Sequence, residues 1–342
     1  MTENLNDNLY YDKSDIKKDI KRTAGRCAMV LFILSVSTYA FGGIIQYILK
    51  IRAASLGINI ASNVETGTIL GVSKEAYNFF MGYLPCILGD ILAIGVAYKT
   101  MNLKFKKDLF CRNKAPFKFI ILGSTSCVAV GMISSIIYVI YSSIIEAQGF
   151  TIPSPDFTIP TETKYLVLFI LYTCIIAPIF EEVIFRGFIL KSMMKYGNLT
   201  AAIVSSIMFS MFHLNLVQFI NPILMGIIFC FITIKSNSIK SSIIAHMFNN
   251  SLIMFTSVLG LLNNPTIEGI YSFIYFSLGF IAFYMFVKTY FRDFLVTLSD
   301  NNTELSILKK IGYSFTSPWS IAYIILYIIL VGGMMIILNM LK

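Results

Sequence analysis

Nine apolar runs, nearly all long enough to cross ~30 Å of hydrocarbon as helix, decide what this chain can fold into. They fall near residues 27–49, 76–98, 117–145, 164–180, 199–216, 217–234, 238–261, 269–290 and 318–341. Inside lipid every backbone N–H and C=O needs a partner from the protein itself, which leaves helices and closed barrels. The runs are continuously apolar rather than alternating, so a barrel is excluded. Charged residues make up 13% of the chain, about half of the ~25% usual in a soluble domain. The expected fold is all-α, a polytopic membrane helix bundle of about eight to nine transmembrane helices.

Lysine and arginine orient the runs. Residues 1–26 are polar and read as a cytoplasmic tail rather than a signal peptide. The run that follows, Cys27 to Leu49, is too long for a signal core and has no small-residue cleavage site after it. The 99–116 loop is basic, with Lys99, Lys104, Lys106, Lys107, Arg112 and Lys114, whereas the 146–163 loop carries only Glu146, Asp156 and Glu162. Lys191, Lys195, Lys235, Lys240, Arg292, Lys309 and Lys310 mark later loops. An inside N-terminus and nine crossings put every basic loop inside. The weakest division lies between 199–216 and 217–234, where only a short polar interruption separates the runs.

The expected layout is a 1–26 tail, N-terminal transmembrane helices over 27–163, a core over 164–262 and C-terminal transmembrane helices over 263–342. The net charge of +9 fits positive-inside loops and anionic lipid. No soluble basic module is present, so nucleic acid is not an expected partner. The expected partners are the bilayer and a membrane protein or peptide substrate. The expected location is the cell (plasma) membrane, spanned many times, with the N-terminus cytoplasmic. Six scattered cysteines without a CxxC spacing indicate neither a disulfide framework nor a zinc ribbon.

Chemistry concentrates at Glu181-Glu182-Val183-Ile184-Phe185-Arg186-Gly187, directly after an apolar run. An ionisable side chain costs about 2.5–3.5 kcal/mol at the centre of a membrane helix. Glu182 and Arg186 are four apart and face each other on a helix, which suits an ion pair. Glu181 points about 100° away, free to face a cavity as a candidate general base. The competing reading is that the cluster marks the cytoplasmic end of a helix, continued by Lys191 and Lys195. The chain's two histidines follow, in Phe209-Ser210-Met211-Phe212-His213 and in His246-Met247-Phe248-Asn249-Asn250. His246 and Asn250 project from one helix face, and both can donate to one oxygen, as an oxyanion requires. Either histidine alone reads as a packing residue; three such sets within 70 residues do not read as coincidence.

Glu181-Glu182-x-x-x-Arg186, then Phe209-x-x-x-His213, then His246-x-x-x-Asn250 resembles the CPBP intramembrane proteases. That group contains type II CAAX prenyl endopeptidases and bacteriocin-processing or self-immunity proteins. The resemblance covers roughly 164–255 and implies hydrolysis of a peptide bond within the membrane. It implies Glu181 and His213 as activators of water, His246 and Asn250 as the oxyanion hole, and Glu182 and Arg186 as support. Some relatives carry asparagine four residues after the first histidine, where this chain has Val217; Asn215 is the nearby amide.

The resemblance also brings the label metalloendopeptidase. No cofactor is favoured, but zinc is the rival reading, and if present it would take Glu181, His213 and His246. No His-Glu-x-x-His helix occurs, and Arg186 competes with a cation for a carboxylate. An aspartyl site fails because Ile87 stands where Gly-x-Gly-Asp needs glycine, so Asp90 reads as a hydrogen-bonded structural residue. A serine site fails because Gly123-Ser124-Thr125 lacks Gly-x-Ser. Two further readings from other classes are a proton-coupled transporter using the same residues as a relay and a non-catalytic membrane partner protein.

Overall fold

The computed structural model describes residues 13–58, 68–111, 115–155, 158–300 and 305–340. Arg112, Lys114, Asp156 and the first part of the 1–26 tail lie outside the described residues. The remainder is a helical bundle. Its helices are α1 (Lys13–Ser55), α2 (Lys74–Met101), α3 (Phe117–Ala147), α4 (Thr163–Tyr196), α5 (Asn198–Phe212), α6 (Ile220–Ser236), α7 (Ile239–Gly260), α8 (Pro265–Thr297), α9 (Ile307–Ser314) and α10 (Pro318–Met340). A two-residue antiparallel ladder, Thr68–Ile69 with Val72–Ser73, precedes α2. Seven of the helices are long and apolar enough to cross a membrane, and α5 and α6 are shorter apolar helices. The expected polytopic bundle is what forms.

Two sequence boundaries shift. α1 begins at Lys13 and runs unbroken past position 26, so the polar tail and the first apolar run share a helix. The two adjacent runs over 199–234 become a hairpin of 15 and 17 helical residues joined through 213–219. Hydropathy is nearly continuous there, but Leu214 adopts a left-handed φ of 51°, and the Tyr141 hydroxyl donates to Leu216 O at the tip. The hairpin closes tightly because position 226 is glycine: a Cβ there would stand 2.7 Å from Ser206 Oγ and 3.2 Å from Ser206 Cα.

α4 extends beyond Phe180 to Tyr196, so the glutamates lie inside a helix rather than at its end. Its middle is not regular. Five residues, Tyr172–Ile176, and eight, Val183–Leu190, wind as π-helix, a form concentrated at functional sites. Pro178 sits between them. Lacking an N–H, it cannot serve the carbonyl of Thr173 at the i−5 position.

Charged loops sort to opposite ends of the bundle. At one end Lys195 and Arg22 pair with Asp19 at 2.7 and 2.8 Å, Lys235 with Asp293 at 2.6 Å and Lys310 with Asp300 at 3.2 Å. Asp300 also accepts from Leu199 N (2.8 Å) and Thr200 Oγ1 (2.6 Å), which caps α5. At the other end Glu75 accepts from Thr161 N (2.7 Å), Thr161 Oγ1 (2.8 Å) and Glu162 N (2.9 Å), fastening the segment before α4 to the start of α2.

Candidate active site

The site is built from α4, α5, α6 and α7. Arg186 Nη1 donates to Glu182 Oε1 at 2.9 Å, and both side chains are fully buried. This is the i,i+4 pair that the spacing predicts. The guanidinium lies between two rings, 4.4 Å from the centroid of Phe209 on α5 and 5.4 Å from that of Phe229 on α6. Its remaining N–H groups have no hydrogen-bond acceptor among the described residues, so the aromatic faces take their place. The Ser242 hydroxyl faces the Glu182 carboxylate from α7.

The same Glu182 Oε1 contacts His246 Nδ1 at 3.0 Å. Because Glu182 is paired with arginine, its carboxylate acts as acceptor and the His246 proton sits on Nδ1. His246 Nε2 then faces Glu181 Oε2 at 3.7 Å. Glu181 retains 14% side-chain exposure while Glu182 has none, the division of labour expected from their 100° offset. A lone-pair nitrogen and a carboxylate oxygen are both acceptors. At 3.7 Å one water can donate a hydrogen to each and leave its own lone pairs free.

His213 caps the end of α5, and its Nδ1 contacts Phe209 O at 2.9 Å. A carbonyl only accepts, so Nδ1 carries the proton and Nε2 presents a lone pair. The Phe209 ring is common ground: the rings of His213 and His246 lie 5.1 and 6.0 Å from its centroid. Asn250 donates through Nδ2 to Thr173 O at 3.0 Å. That is the carbonyl left open by Pro178, so one of the two amide N–H groups mends α4 and the other stays available. Asn215 is a turn residue, with Nδ2 donating to His213 O at 2.8 Å and Oδ1 accepting from Gln218 N at 2.7 Å.

A zinc site does not fit this arrangement. Among the described residues no three His, Cys, Asp or Glu side chains converge as a ligand set. Glu181 and His246 supply two donors, and His213 is not grouped with them among the described residues. Sequence reasoning missed Phe229 and Ser242, which reach the site from other helices, and it missed Pro178, whose lack of a donor was legible in the α4 run.

A cavity of about 400 Å³ adjoins the site. Its wall includes Thr38 of α1, Cys86 and Asp90 of α2, Pro153–Pro155, and Phe212–Leu216 with His213.

The family model described as "Type II CAAX prenyl endopeptidase Rce1-like" matches residues 163–252. Over these residues the chain is similar to that family. The segment holds Glu181, Glu182, Arg186, His213, His246 and Asn250, and it bears out the likeness to the CPBP proteases read from the motifs. No curated protein and no solved structure matches the chain significantly. Over that segment the chain is similar to membrane proteases, and seven helices long and apolar enough to span agree with an integral membrane protein.

Proposed function

We propose that the protein is an intramembrane endopeptidase that hydrolyses a peptide bond with water activated by Glu181. The observation that carries the reading is the relay Glu181–His246–Glu182–Arg186, 3.7, 3.0 and 2.9 Å from link to link, inside the Rce1-like segment. Glu181 takes a proton from the water as its oxygen attacks the carbonyl carbon. The second hydrogen of that water is directed to His246 Nε2, and His213, with a free Nε2 lone pair, stands on the wall of the adjoining cavity. The proton passes from Glu181 to His246 Nε2, whose Nδ1–H remains held by Glu182. His246 Nε2–H and the free N–H of Asn250 then donate to the oxyanion. The same proton goes on to the leaving nitrogen when the C–N bond breaks.

Glu182 and Arg186 orient His246 and touch no substrate. The chain sits in the cell membrane with its basic end and N-terminus inside. A prenylated CAAX protein, a leader peptide and a bacteriocin are the substrate classes that the resemblance brings.

The test compares membrane peptidomes from cells carrying wild-type or Glu181→Gln protein, inserted to equal levels. Cleavage products present only with the wild type are expected. Full activity of Glu181→Ala or Glu181→Gln on an identified product would refute the assignment of the base. Proton-coupled flux in liposomes without cleavage would favour the transporter reading.

A further inference from the structure

Asp90 lies outside the Rce1-like segment, midway along α2, and the site as described leaves it without a task. The side chain is 3% exposed, and among the described residues its Oδ1 has no hydrogen-bond partner. The sequence reads it as a hydrogen-bonded structural residue, yet this oxygen makes no such bond. An ionisable group at membrane depth is ordinarily matched by a partner charge. None is supplied here: the cavity wall that carries Asp90 contains no lysine or arginine.

His213, on the same wall, cannot donate either, because its Nδ1–H is committed to Phe209 O. Glu181 lies within electrostatic reach of Asp90 and adds charge of the same sign. The rest of the wall is hydroxyl, proline and apolar side chains with the Cys86 thiol and the amide of Asn215, whose Nδ2 is engaged by His213 O and Gln218 Oε1, and the volume of about 400 Å³ is within the ~300–1,000 Å³ range of ligand pockets.

We propose that this cavity binds the part of the substrate next to the scissile bond, and that Asp90 receives a cationic group there, the side chain of a lysine or arginine. The proposal rests on the peptidase reading for the nature of the ligand. It assigns Asp90 to substrate selection rather than to the hydrolytic step.

Full-length Glu181→Gln protein, which binds without turning over, is placed in nanodiscs with a library of N-palmitoylated ten-residue peptides. The library is randomised at each position, with norleucine included. Retained peptides are read by mass spectrometry. Lysine and arginine should be enriched at least about tenfold over norleucine at one position, and Asp90→Asn in the same background should reduce that ratio to below about twofold. Lack of basic enrichment, or enrichment unchanged by Asp90→Asn, overturns the proposal.

Should Asp90→Asn fail to fold, the best retained peptide is compared with its Lys→norleucine counterpart on the Glu181→Gln protein. Equal binding overturns the proposal. Cleavage of the same library by the wild type is scored separately. Charge-selective binding without any cleavage would sink the peptidase reading and leave the cavity assignment standing.

Discussion

Arg186 offers the sharpest energetic test. Arg186→Met keeps the volume and the contacts with Phe209 and Phe229 but leaves the Glu182 carboxylate fully buried without its partner. Removing one member of a buried ion pair costs about 3–5 kcal/mol, and the lost cation–π contacts add about 1–2 kcal/mol. The total of about 4–7 kcal/mol corresponds to a fall in melting temperature of about 6–10 °C, at an unfolding entropy of ~2.1 cal/mol/K per residue over 342 residues. Glu182→Gln in the same chain removes the stranded charge, so the double variant should recover most of the loss. The coupling energy should exceed ~2 kcal/mol in a double-mutant cycle, read from melting curves in one detergent. Activity should not recover, because His246 loses the carboxylate that orients it at 3.0 Å. Equal melting temperatures for Arg186→Met and wild type, or additive effects of the two substitutions, would refute the account of this pair.

Further outcomes follow from other contacts. Asn250→Ala should destabilise by about 1–3 kcal/mol by stranding Thr173 O, and less in a Pro178→Ala background, where the backbone regains a donor; four melting curves decide it. Gly226→Ala should cost about 1–3 kcal/mol through overpacking against Ser206, with partial relief from Ser206→Gly, measured the same way. Asp300→Ala, which uncaps α5 and removes the Lys310–Asp300 ion pair, should expose the 196–200 turn to limited proteolysis. Cleavage should persist after exhaustive chelation, and loss that zinc alone restores would overturn the two-donor reading of Glu181 and His246.

Much of this was legible in the sequence where the information is local. Run length predicted the helices, and i,i+4 spacing predicted the Glu182–Arg186 pair. What depends on register between helices was not. His246 reaches Glu182 across 64 positions, and no pattern within α7 says which carboxylate its Nδ1 meets. The hairpin break at 213–219 was obscured because Val217 and Phe219 keep the hydropathy high beside Asn215 and Gln218. Asp90 is hard to read for a related reason: a residue's own surroundings in the chain do not show whether the helices packed against it offer its buried Oδ1 a donor, and among the described residues none does.

The shortness of α5 and α6 bears on how the protein meets its solvent. At 1.5 Å per residue the two arms reach only about 22 and 25 Å, less than the ~30 Å of an average acyl layer. No residue of either arm is exposed, so the arms sit recessed within the bundle or the bilayer thins about the bundle as a whole, and either brings water towards His213 from the tip. Turnover should thus rise in vesicles of short-chain phospholipid and fall in long-chain ones, making acyl length a determinant of hydrolytic rate that no residue of the site encodes.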